Sequence, residues 1–179
     1  MGPERLTVRA LVVALLLVAA GCDDGATPPA PGGDESEQAT VAWVNDGDTL
    51  TLTGGAKVRL VQIDAPELQT DCYGRAALRA LRGLTPKGTR VTLVRDPDLD
   101  ARDRYGRLLR YVYRGQRNVN VELVRRGAAS PYYFRKKRGE HADQLDAAVQ
   151  EAREERAGYW GSCAAAELNT GLGSVTGPA

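Results

Sequence analysis

Apolar and polar positions alternate along residues 45–67, NDGDTLTLTGGAKVRLVQIDAPE, in the two-residue period of a β-hairpin. Leu50 and Leu52 share a face on one arm, Val58 and Leu60 on the other, and Gly54-Gly55 supplies the turn. A register that sets Leu50 against Leu60 and Leu52 against Val58 needs an odd loop, Gly54, Gly55 and Ala56. It places Asp48 beside Gln62 and Asp46 beside Asp64, on the face that carries the leucines. Carboxylates gathered in this way repel unless a cation lies between them, and a hard, oxygen-binding divalent ion suits them. The same parity sends Arg59 to the outer face, from which it must curl around the rim to reach them.

The remaining pattern predicts a first strand over 41–44 and a helix over 73–84 with Ala77, Leu81 and Leu84 on one stripe. After the Thr85-Pro86-Lys87-Gly88 break, Val91 and Leu93 mark a fourth strand and 108–113 a fifth. A short helix over 120–126 ends at Gly127, and a longer one over 140–156 turns Leu145, Ala148, Val149 and Ala152 inward. Five strands with a helix between the third and fourth, and about three helices in all, match an OB-fold: a five-stranded β-barrel of α+β class. No internal repeat is visible.

Both ends differ in composition. Residues 1–21 carry Arg5 and Arg9 ahead of ALVVALLLVAA, the layout of an export signal and too short to span a membrane comfortably. Residues 22–39 hold no aliphatic side chain larger than alanine and read as a disordered tether. The domain is expected over 40–163, and 164–179, small and polar, is expected to be a flexible tail. The whole chain is near neutral at +1, yet 22 basic and 17 acidic residues remain from Ala39 onward. A basic domain favours an anionic partner.

Taken singly, DGD, Asp64-Ala65-Pro66-Glu67 and Asp103-Arg104-Tyr105-Gly106-Arg107 are ordinary polar turns, the last with glycine at a left-handed position. In combination they carry more. Asp64 directly follows the apolar run VRLVQI, at a strand end where a side chain is rigidly aimed. The lone histidine, His141, stands among charges at a helix start and reads as a solvated cap, so carboxylates and arginines are left to run any reaction.

DGDTLTL, VRLVQIDAPE, YGR at a helix start, DRYGRLLRYVY and NVELVRRGAA, in that order and spacing across roughly 40–160, resemble the staphylococcal nuclease (thermonuclease) family. The resemblance implies the same barrel and a Ca2+ cofactor held by Asp48, Asp64 and the backbone carbonyl of Ala65, with Asp46 and Thr49 in supporting contacts. It implies that Glu67 is the general base that activates water, and that Arg59 and Arg107 clamp the phosphodiester through their planar forks. Arg104 and Tyr105 would flank the substrate, and Tyr132 and Tyr133 would hold a nucleobase, with a core role for one of them equally open. The run Arg135-Lys136-Lys137-Arg138 is either a solvated loop or a track for the phosphate backbone.

Ala19-Ala20-Gly21-Cys22 resembles a bacterial lipoprotein signal, which would acylate Cys22 and anchor the chain outside the cytoplasm; a secreted form or a membrane-spanning anchor are the alternatives. With Cys22 given to a lipid, Cys72 and Cys163 remain as a disulfide pair in an export compartment, with thiol metal binding as the weaker option. The expectation is a monomeric, Ca2+-dependent endonuclease acting on DNA and RNA with little sequence preference and leaving 3′-phosphates, with no protein partner. Its rivals are an OB-fold lipoprotein that binds nucleic acid or an anionic glycan without cutting, and a structural protein that merely binds calcium.

Overall fold

The computed structural model describes Gly2 and residues 36–179. The signal, Cys22 and most of the tether lie outside the described residues. In chain order the elements are β1 (Ser36–Val44), β2 (Thr49–Leu52), β3 (Lys57–Leu60), β4 (Ile63–Asp64), α1 (Gly74–Leu84), β5 (Arg90–Val94), β6 (Leu108–Arg114), β7 (Arg117–Asn118), α2 (Val119–Arg125), β8 (Ser130–Pro131), α3 (Ala142–Glu154), α4 (Tyr159–Ser162), β9 (Glu167–Asn169) and β10 (Gly173–Val175).

The barrel closes through β1. Its first half pairs with β5 and its second half with β2, with a register irregularity between Val41 and Trp43. β2 pairs with β3, β3 runs parallel to β6, and β6 returns antiparallel to β5. This is the five-stranded barrel with helices that the pattern implies, with α1 between the third and fourth barrel strands. Leu50, Val58, Leu60, Val91, Leu93 and Val112 are buried inside, joined by Ala77 and Leu81 of α1, Leu123 of α2 and Leu145 and Val149 of α3. Asn118 caps α2 by accepting from the amides of Asn120 and Val121. Asn120, fully buried, donates to the Val61 carbonyl at 2.8 Å and accepts from the Val112 amide at 3.0 Å, tying α2 to the barrel wall.

Several expectations need correction. The hairpin register is Leu50 opposite Val58, not Leu60, and its three-residue loop is Thr53, Gly54 and Gly55, closed by the Leu52 amide on the Ala56 carbonyl. The shift is two residues, so each side chain keeps its predicted face. Residues 36–39, read as tether, are strand: their backbone pairs with β5, and Gln38 donates to Thr92 Oγ1. The stretch after Cys163, read as a flexible tail, forms the β9–β10 hairpin. Backbone bonds from Cys72 to Gly177, from Ala179 to Thr70 and from Tyr133 to Thr170 hold it to the domain. His141 does stand at the N-cap of α3, but its side chain is not left to solvent; its ring stands edge-on to Tyr111, 4.5 Å between centroids, and shares a 2.8 Å hydrogen bond with the Tyr113 hydroxyl. Cys72 and Cys163 are joined in a disulfide between the start of α1 and the end of α4.

Candidate active site

The DGD turn brings the first carboxylate in. Gly47 packs so closely on the next loop that a Cβ there would stand 2.5 Å from the Ala65 Cβ, and this contact lets Asp48 reach the Ala65 amide. Asp46 Oδ1 accepts from the Asp48 amide and fixes the turn. On the opposite arm the chain leaves β3 through Gln62, whose φ of 62° is uncommon outside glycine and re-aims the following residues. Gln62 is held in this conformation by donating to the Lys137 carbonyl and accepting from the Gly139 amide, each at 2.8 Å.

Between these arms lies Arg59. Its Nε is 2.9 Å from Asp48 Oδ1 and its Nη2 is 2.7 Å from Asp64 Oδ1, while Nη1 donates to the carbonyls of Leu60 and Ile63. The outer-face arginine does curl around to the carboxylates. One guanidinium thus bridges both acids. Asp48 is 7% exposed. Burial pushes its carboxyl up to about 7; Arg59 and the Ala65 amide pull it down, and Asp46 and Asp64 push it up.

Thr49 links this cluster to the second arginine. Its hydroxyl donates to Asp48 Oδ1 at 3.0 Å and accepts from Arg107 Nη1 at 3.4 Å. Arg107 is fixed from behind by Asp103, which accepts from its Nε at 2.6 Å and from its amide at 3.0 Å. Partial burial raises the Asp103 pKa, but the bonds from Arg107 and from the Tyr105 amide outweigh it and hold the carboxyl below its usual value. Gly106 takes the predicted left-handed conformation, with φ of 79°. Arg104 hydrogen-bonds the Tyr105 hydroxyl and lies 4.7 Å from that ring's centroid, and Tyr105 is 67% exposed.

A groove of about 580 Å³ is lined by Arg59 and Arg107 together with Tyr105, Tyr132 and Phe134. Of the paired tyrosines, Tyr132 lines the groove, but Tyr133 is buried in the core, its hydroxyl donating to Asp146 Oδ1 at 2.6 Å with the Ala142 carbonyl 3.0 Å away. Phe134, which the sequence pattern left without a role, is 52% exposed and 6.4 Å from the Tyr132 ring. Its only sequence signal is an aromatic two positions from Tyr132, the spacing of side chains on one face of an extended segment. The basic run is exposed, as a solvated loop would be. Arg135 lies over Phe134 and lines the groove with Lys137, and Arg138 is paired with Asp143 and Asp146. A larger concavity of about 830 Å³, among Arg114, Arg117, Glu122 and Arg125, contains none of the predicted residues.

Glu67 is exposed in the loop after β4, and its side chain has no hydrogen-bond or ion-pair partner among the described residues. Asp64 has a partner that the sequence did not signal: both the amide and the hydroxyl of Ser174 donate to its Oδ2, each at 3.1 Å. Asp48 and Asp64 offer carboxylate oxygens at a point that already draws a cationic group, a donor chemistry that fits a hard divalent ion. No group of three or more His, Cys, Asp or Glu able to hold a metal occurs among the described residues, so water would have to complete the shell.

The family model for staphylococcal nuclease homologues matches residues 57–162. The chain is 34% identical over 149 residues to Endonuclease YhcR of Bacillus subtilis, covering 74% of this chain and 12% of that protein. It is 39% identical over 102 residues to an uncharacterized endonuclease of Haemophilus influenzae, covering 55% and 54% of the two chains. It is 38% identical over 125 residues to an uncharacterized endonuclease of Escherichia coli O157:H7, covering 67% and 74%. The chain thus spans little of the first of these relatives, about half of the second and most of the third. Together with the closed barrel and the ordered motifs, these matches show that the chain belongs to the staphylococcal nuclease homologue family.

Proposed function

We propose that this protein is an extracytoplasmic, Ca2+-dependent endonuclease that hydrolyses phosphodiester bonds in DNA and RNA with little sequence preference and leaves 3′-phosphates. The observation that carries the reading is the convergence of Asp48, Asp64 and Arg59, joined through Thr49 to Arg107. The relatives named endonucleases point the same way.

A phosphodiester is an anion that repels an incoming hydroxide, so positive charge at its oxygens must come before a base is useful. Asp48, Asp64 and the Ala65 carbonyl would hold a Ca2+ ion, which would supply part of that charge. Arg107, oriented in advance by Asp103, supplies more through a planar fork that engages two phosphate oxygens. Arg59, bonded to both acids, adds its charge within the same cluster. Glu67, exposed and unpartnered, takes the proton of the attacking water. Tyr105, Tyr132 and Phe134 offer ring faces, which stack on any base and so read little sequence.

The lipoprotein-like signal around Cys22 and the Cys72–Cys163 disulfide support a location outside the cytoplasm, lipid-anchored through Cys22. Mass spectrometry of the mature N-terminus tests the anchor: an acyl mass on Cys22 is expected, and an unmodified N-terminus elsewhere sinks it. The activity is tested on supercoiled plasmid with Ca2+ and with chelator, followed by end-labelling before and after phosphatase. Nicking that needs Ca2+ and 3′ ends that need phosphatase are expected. Digestion that continues in chelator rules out the metal assignment.

A further inference from the structure

We infer that Ser174, in the C-terminal hairpin, is a positioning residue that fixes the Asp64 carboxylate for cation binding; the inference rests on the proposed reading of this site. Asp64 lies 110 positions earlier in the chain. Its two oxygens are spent differently. Oδ2 accepts from both the amide and the hydroxyl of Ser174, and Oδ1 alone faces Arg59 and, across it, Asp48. With Oδ2 occupied twice, rotation of the carboxylate costs two hydrogen bonds to an ionised acceptor, so Oδ1 is held where a shared cation would take it.

The approach of the hairpin is built into its backbone. Gly173 has φ of +92°, and a Cβ there would stand 2.4 Å from Asp64 Oδ2, so only glycine lets the strand come this close. The hairpin is also fastened along its length. The Cys72–Cys163 disulfide fixes where it begins, the Thr170 carbonyl accepts from the Tyr133 amide, and bonds at Gly177 and Ala179 fix its end. A strap tied at both ends and in the middle presents Ser174 without the ordering cost that a loose tail would carry. It lies beyond residues 57–162, the part of the chain that matches the family model.

The test is calorimetric titration of the full-length protein with Ca2+ alone, without substrate, together with a thermal melt of each variant in chelator. Ser174→Ala loses one of the two bonds and should bind Ca2+ about tenfold more weakly, the lower end of the range for lost supporting partners of a metal ligand. Ser174→Thr keeps both donors and should bind as the wild type does. Gly173→Ala forces the strand off Asp64 and should weaken binding about a hundredfold. Leu168→Ala, which trims the hairpin's packing on the core without touching Asp64, should lower the melting temperature and leave Ca2+ affinity unchanged. Equal affinity for the wild type and Ser174→Ala overturns the positioning role while leaving the site intact. A Leu168→Ala variant that loses affinity as Ser174→Ala does also overturns it, since the hairpin would then act only as general support. A wild type that takes up no Ca2+ overturns the reading of the site and this inference with it.

Discussion

At the scale of single residues, Asp48 is the most exposed to test, because its burial and its charge are in conflict. Burial raises its carboxyl from 3.8 to about 7 although Arg59 pulls the other way. A carboxyl raised on folding stabilises the native state below the unfolded value, and that contribution is lost as pH rises through the folded one. In chelator, the melting temperature of the wild type should therefore fall relative to Asp48→Asn between about pH 4 and pH 7 and then level. Parallel melting curves across that range would remove the account of Asp48. The two tyrosines should separate just as cleanly. Tyr133→Phe, losing the bond from its buried ring to the part-exposed Asp146 carboxylate, should cost about 1–3 kcal/mol in stability and leave KM unchanged. Tyr132→Ala should leave stability nearly unchanged and raise KM about tenfold through a lost stacking face. Of these details, the outward start of Arg59 was legible, because strand parity survives a register error of two. Which tyrosine turns inward was not, since two adjacent aromatics in a short irregular segment fit either phase.

At the scale of elements, legibility follows apolar content. The helices and the barrel strands β2, β3 and β5 space their apolar side chains regularly, and that leaves a period in the sequence. The start of β1 and the β9–β10 hairpin leave hardly any. The run from Ser36 to Gln38 becomes strand because β5 offers an edge to pair with, and the hairpin is defined by backbone bonds and by a serine on a distant carboxylate. Partners so far apart in sequence have no local signature. The disulfide is where this element's stability is most directly measured. It closes a separation of 91 residues, so Cys163→Ser should cost about 2–4 kcal/mol, and reductant should lower the wild-type melting temperature similarly. A melting temperature indifferent to reductant would mean that the bond contributes nothing to holding the C-terminal segment.

For the whole molecule, the barrel's closure is what assembles the site. β3 and β6 pair in parallel with Val58 opposite Leu108 and Arg59 opposite Leu109. Arg107, immediately before β6, is thereby delivered beside the hairpin that carries Asp48, Thr49 and Arg59, although it lies 58 positions from Thr49. The sequence motifs indicated that these residues belong together, and the parallel closing pair supplies the physical means. On the proposed reading, the basic excess of the domain would favour a polyanion at the groove lined by Arg59, Arg107, Tyr105, Tyr132 and Phe134. The most direct test of this convergence is the single-turnover rate of hydrolysis of a single-stranded oligonucleotide at saturating Ca2+, for the wild type and for Arg107→Ala of unchanged melting temperature. A fall of about 10³-fold in the rate is expected, since on the proposed reading the arginine would act on charge that builds only in the transition state. A variant that cuts within a factor of about two of the wild type would contradict it.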